Sequence, residues 1–301
     1  MSLRLKVLIG FTIICLLWGS SWAAVKIGLE SVPPLLSLGI RFTVASFILG
    51  LIVLWKRLRI PTEKKFWMLV LLMCSTSFTV PFVLIYWAQM QISSGLASVL
   101  FATYPFWVAL ISHFILPKEK ITCTRIMGIG IGFLGVFFIF NKGFSEVSLS
   151  MLYGMAALIA GAIIQAFGLV FLRRMGEHAH PVTLNFCSMS LSALPLFAAS
   201  YIFEDYSKMI FNTQTLGAIL YLSLFCTVIT FVIYFWLVKH VEAVILSLSA
   251  FMTPVIAVLI GVLVMKETIT QGVYIGSALV LLGVLFTTLG DVYTRYRRHA
   301  D

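Results

Sequence analysis

The feature that most constrains this chain is that it says one thing twice. The stretch from Phe82 to Phe138 returns from Phe231 to Phe286. Phe82, Val83, Trp87, Ser98 and Pro105 fall on Phe231, Val232, Trp236, Ser247 and Pro254 at a constant offset. One residue is then dropped. Lys118, Glu119, Ile121, Thr122, Gly128, Gly135 and Val136 fall on Lys266, Glu267, Ile269, Thr270, Gly276, Gly283 and Val284. A self-match of this length defines the architecture before any single motif does. The first copy spans 1–142 and the second 149–290, followed by a basic tail at 291–301.

Each copy must live in lipid. Of 301 residues, 61% are hydrophobic and 11% charged, against roughly 25% charged in an ordinary soluble domain. The net charge of +10 does not point to nucleic acid, because the basic residues stand at the ends of apolar runs. Spanning helices need about 20 mostly apolar residues. There are ten candidates, the fifth and tenth short and rich in glycine: 7–27, 34–55, 66–89, 94–116, 126–140, 149–172, 181–203, 215–238, 244–264 and 273–289. The N-terminus imitates a signal peptide, with Arg4 and Lys6 before an apolar run. Trp18 and Trp22 are poor neighbours for a cleavage site, and the repeat requires this segment as a helix.

Orientation follows from Lys and Arg. With a cytoplasmic N-terminus, sixteen basic residues fall inside, and only Lys26, Lys142, Lys208 and Lys266 fall outside. Both termini are then cytoplasmic. Five helices per copy is an odd number, so the second copy enters the membrane from the opposite face. The expected fold is all-α and polytopic, with ten transmembrane helices as two inverted five-helix repeats around a central cavity. That symmetry is common in secondary transporters. No GxxxxGK[ST] motif occurs, and short loops leave no room for a nucleotide-hydrolysing domain.

Pro105 and Pro254 lie about eleven residues, roughly 16 Å, into their helices. Each is expected to free the carbonyl four residues earlier, at Phe101 or Ala250. They are the candidate hinges; a static kink is the alternative. Cys74, Ser75, Thr76, Ser77 and Thr79, and in the second copy Ser223, Cys226, Thr227 and Thr230, suit helix contacts or pore lining. Arg41 is an ionisable residue within a helix, which suggests function by default, although snorkelling to an interface would also satisfy it. Its approximate counterpart is Ser188. No Asp or Glu lies mid-helix, so no carboxylate relay is visible. His113 reads as interfacial. The five cysteines lack CxxC spacing and read as packing residues. Gly128, Gly130, Gly132, Gly135, Gly276 and Gly283 suit close packing, within the chain or across a homodimer. The candidate substrate-binding set is Trp18, Ser21, Arg41, Tyr86, Thr103, Tyr104, Gln165, Asn185, Trp236, Ser249 and Thr253. No metal or cofactor is expected.

The run WGSSWAAVK, then PPLLSLGIRF, then the repeated Pro…KE..T…G……GV pattern, resembles the EamA-type members of the drug/metabolite transporter superfamily. The resemblance covers nearly the whole chain, twice over. It implies ten helices around a central cavity in a bacterial inner membrane, and export or exchange of small metabolites such as amino acids. It also implies that WGSSW and the proline helices border the cavity. The Arg41–Phe42 pair matches the family's second-helix signature, which favours a general structural role for Arg41. An intramembrane enzyme would need paired aspartates, HExxH or GxSG with histidine, and none is present. A channel-like facilitator or a lipid scramblase is the other alternative. Expected partners are a small-molecule substrate and the bilayer, not nucleic acid.

Overall fold

The computed structural model describes residues 2–116, 123–142, 148–175, 179–207, 209–240, 249–267 and 271–300. Side chains at 125, 140–142, 235, 238, 239, 250, 251 and 287–300 are also outside the description. The described residues form ten helical rods. We number them α1 (Leu3–Gly28), α2 (Pro34–Trp55), α3 (Lys64–Gln91), α4 (Ser94–Ile115), α5 (Cys123–Lys142), α6 (Leu149–Met175) and α7 (Pro181–Phe203). After these, α8 runs through Thr213–Ser223, Leu224–Ile229 and Thr230–His240, and is followed by α9 (Ser249–Leu263) and α10 (Gln271–Ala300). No strand occurs among the described residues.

Seven of these rods are long and apolar enough to cross a membrane, and apolar segments within α5, α9 and α10 are shorter. Large side chains such as Trp55 (82% exposed) and Phe203 (79%) point away from the bundle. A helix apolar on all sides belongs in lipid or in a large core, and here both faces are used. The chain is a multi-pass membrane protein.

Packing is organised by antiparallel pairs of helices, and in two of these pairs the partners are five apart in the chain. In α5 and α10, Gly135 abuts Gly276 and Val280, while Gly128 abuts Gly283. The two glycine contacts are counterparts under the sequence repeat. In α2 and α7, Gly39 meets Phe197 and Gly50 meets Phe186. The same logic joins α3 to α6, where Gly154 faces Gln91 and Gly168 faces Thr76 and Ser77. It also joins α1 to α8, where Gly10 faces Ile233 and Leu237. Lipid tails offer helices no hydrophobic drive to associate, so close backbone approach at small residues supplies the attraction.

Three details refine the expectations. The helix at Pro105 is interrupted at Ala102 and Thr103, which keep helical dihedrals. α4 stops at Phe101 and restarts at Tyr104, which puts Pro105 in a first turn, where a missing N–H costs nothing. Thr103 closes the break by donating to Leu100 O (2.7 Å). Pro254, by contrast, lies inside α9 and is buried. Second, α3 and α8 each contain a π-helical segment, Cys74–Thr79 and Leu224–Ile229, at corresponding places in the two copies. Third, α10 continues helically to Ala300, through the basic segment that begins at 291.

The α5–α10 seam gives a direct test. A Cβ at Gly135 would sit 2.6 Å from Gly276 O and Val280 N, both backbone atoms, whereas one at Gly130 meets nothing within 4 Å. Gly135→Leu should therefore destabilise the protein by about 1–3 kcal/mol or more, the usual cost of overpacking. Gly130→Leu should be silent. Thermal melting in detergent, followed by gel filtration, reads both.

Candidate functional site

The polar groups inside this bundle fall into three layers. The middle layer is centred on Arg41, which is 6% exposed. Its Nη1 donates to Tyr86 Oη (3.1 Å), while Nε and Nη2 both donate to Thr227 Oγ1 (3.3 and 3.2 Å). The guanidinium lies over the Phe82 ring, 5.2 Å from its centroid. The sequence dictates this locally. Tyr86 lies one turn after Phe82 on α3, so both face α2. Thr227 belongs to the π segment of α8, where its hydroxyl donates to Leu222 O five residues back (2.8 Å). Arg41 thus ties α2 and α3 of the first copy to α8 of the second. It does not snorkel.

One turn along the same faces come Ser37 and Gln89, 1% and 0% exposed. Ser37 Oγ and both amide atoms of Gln89 have no hydrogen-bond partner.

The second layer is the bundle end beyond Gln89. Glu267 Oε1 and Oε2 accept from the Ser94 and Gly95 amides (2.7 and 3.0 Å), the first turn of α4. A left-handed Lys266 (φ 53°) turns the chain so that this is reached. Lys26 Nζ donates to Gln89 O and Ile92 O (2.6 and 3.0 Å), at the last turn of α3. Glu204 repeats the device on α2, accepting from the Leu35 and Leu36 amides (2.6 and 3.0 Å). Carboxylates at helix N-termini and an ammonium at a C-terminus match the helix dipole and the orphan backbone groups. Ser31 Oγ meets Thr215 Oγ1 at 2.6 Å at this same end. Glu119, the repeat counterpart of Glu267, lies outside the described residues.

The third group is aromatic and is built by α1, α4 and α8. Trp18 on α1 packs on Tyr234 of α8 (5.7 Å between centroids), and Trp22 packs on Phe101 of α4 (5.4 Å). Phe101 stacks on Tyr104 (5.6 Å). Thr253 belongs beside this group: its hydroxyl is buried without a partner, and its carbonyl faces Gly19 of α1.

Several expected site residues make contacts within the bundle. Gln165 Nε2 donates to Ser77 O in the α3 π segment (3.3 Å). Ser21 Oγ donates to its own helix at Trp18 O (2.7 Å). Thr103 closes the α4 break and accepts from Trp107 Nε1 (3.3 Å). Trp236 stacks on His240 (4.3 Å) among the apolar contacts of α1 with α8. Asn185 is buried on α7 and Ser249 at the start of α9. The polar runs of α3 and α8 likewise make such contacts, as where Ser192 Oγ donates to Cys74 O (3.4 Å) and Cys226 Sγ to Leu17 O (3.2 Å). Ser37, Glu204 and the π segments were not anticipated. Spacing would have flagged Ser37, four residues before Arg41 on one helical face.

Comparison with known proteins agrees with this architecture. Residues 5–141 and 152–289 each match the EamA-like transporter family. The chain belongs to that family. It is 30% identical over 286 residues to the uncharacterized transporter YoaV of Bacillus subtilis (strain 168), covering 94% of this chain and 97% of that one. It is 26% identical to the uncharacterized inner membrane transporter YedA of Escherichia coli (strain K12), covering 91% and 88%. A solved crystal structure superposes with a TM-score of 0.66 at 22% identity, covering 96% of this chain and 98% of the other; it shows the shared fold.

The Glu267 clamp depends on Gly261, because a Cβ there would collide with Glu267 Oε2. Glu267→Ala should cost about 0.5–2 kcal/mol, the scale of a lost helix cap. Gly261→Ala should act in the same direction, and the double variant should lose little beyond the worse single one. Melting temperatures of the three variants check this non-additivity.

Proposed function

We propose that this protein is a secondary transporter, an exporter of a small polar or amphipathic metabolite such as an amino acid. It works without ATP, by alternating access between two inverted repeats of five spans each. Family membership supports the transporter class. The observation that carries the mechanism is the antiparallel pairing of α2 with α7 and α5 with α10, each helix against its own repeat counterpart. Halves related in this way can exchange conformations, so one packing seals one end and its mirror seals the other. The polar clamps gather where Glu267 binds α4. The Ser94–Phe101 half of α4 packs on α9 there, while the Tyr104–Ile115 half packs on α6. The reading takes that end as extracytoplasmic and closed in this state. The route then opens toward Trp18, Tyr104 and Tyr234 from the opposite end.

The α4 break and Pro254 give the two copies different bending elements. Pro254 is the hinge in this reading, and Pro105 marks a joint already formed. Protein purified into liposomes should exchange labelled substrate for unlabelled in saturable counterflow with no nucleotide present. Pro254→Ala should slow exchange several-fold at unchanged protein abundance, with Pro105→Ala affecting it less. Non-saturable flux would indicate a channel, and flip of labelled lipid a scramblase.

A further inference from the structure

We infer that Arg41, with Ser37 and Gln89, forms a binding subsite for the carboxylate group of the transported molecule. This rests on the transporter reading and narrows the substrate to carboxylate-bearing metabolites. The first observation is charge. Arg41 is buried at the level of three helices, and its partners are a phenol, a threonine hydroxyl and an aromatic face, all neutral. Among the described residues no carboxylate pairs with it. A guanidinium within a membrane bundle ordinarily pairs with an acid or faces water. At 6% exposure it does neither here.

The second observation is unused hydrogen-bonding capacity. A guanidinium carries five N–H groups. The bonds to Tyr86 and Thr227 occupy one each on Nε, Nη1 and Nη2. One N–H on each terminal nitrogen is left, enough to donate to the two oxygens of one carboxylate. Thr227 and Tyr86 fix the position of the guanidinium.

The third observation is what stands next to it. Ser37 precedes Arg41 by one turn of α2, and Gln89 follows Tyr86 by one turn of α3. The Arg41–Tyr86 bond joins the helices, so both residues flank it on the same side, toward the Glu267 end. Gln89 is 0% exposed with its amide donor and acceptor both unpartnered, and the Ser37 hydroxyl is unpartnered as well. Leaving such groups unmade costs free energy that a ligand restores. Gln89 can donate to a carboxylate and accept from an adjacent ammonium or hydroxyl. The repeat counterpart of Arg41 is Ser188, whose hydroxyl meets Val70 O at 3.4 Å. The positive charge is therefore not demanded by the symmetry of the fold.

The test is binding, independent of transport. Sodium acetate, isovalerate, phenylacetate and L-phenylalanine are titrated against detergent-purified protein at constant ionic strength in sodium chloride. The matching primary amides are run in parallel, and melting temperature is followed. At least one acid should stabilise the protein saturably, while its amide does not. Arg41→Gln should raise its half-saturating concentration roughly thirtyfold or more, as for one partner lost from a buried charge pair. Arg41→Lys, which keeps the charge without the guanidinium, covers the case in which Arg41→Gln does not fold, and should weaken binding in the same direction. The inference is overturned if no acid stabilises, if amides act as well as acids, or if Arg41→Lys binds like the native protein. Counterflow separates the two readings. Saturable exchange of a solute lacking a carboxylate leaves the transporter standing and removes this subsite.

Discussion

Hydrocarbon supplies no hydrogen bonds, so every irregularity in a spanning helix must find a partner within the protein. In this chain the partner usually comes from the other repeat. The first turns of α2 and α4 are capped by Glu204 and Glu267 from the second copy. The π segment of α3 is bonded by Gln165 and Ser192 from α6 and α7. In the reverse direction, Arg41 reaches Thr227 in the π segment of α8. Neither half could leave its defects uncovered in lipid without a cost of several kcal/mol for each exposed group. The halves are joined through their faults.

This gives the repeat a mechanical meaning. Regular helix surfaces meet at glycine seams, α5 on α10 and the helices facing Gly154, Gly161 and Gly168. Most of those contacts are apolar or involve backbone, although Gly168 faces the hydroxyls of Thr76 and Ser77. Polar contacts concentrate where helices end or bulge, and those are few, directional and breakable.

The same division separates what was legible in the chain from what was not. Helix positions were readable because apolar runs of spanning length are long and Pro34 and Pro181 mark sharp starts. The α2 and α7 bounds are those expected. The π segments were not readable, since an inserted residue in a helix changes no composition. The turn at Pro105 was hidden for a related reason. Symmetry with Pro254 suggested a shared bend, but proline is neutral in a first turn, and whether the chain stops before it depends on Thr103 and the neighbours of Leu100. Among candidate site residues, Arg41 and Tyr86 met, and Trp18 and Tyr104 joined one aromatic layer. Gln165, Ser21 and Thr103 instead spend their polar atoms on backbone.

The sequence by itself determined the membrane class, the two copies, the helix spacing and the family, because all of these are written in composition and period. The tertiary structure alone decided which copy satisfies which defect. It also decided that Arg41 faces neutral partners rather than lipid or acid, and that Gln89 and Ser37 stand beside it unpaired. The physical reason is that hydrogen-bond partners here lie 45 to 186 residues apart along the chain, as with Arg41 and its contacts to Tyr86 and Thr227. No local pattern encodes a meeting at that distance.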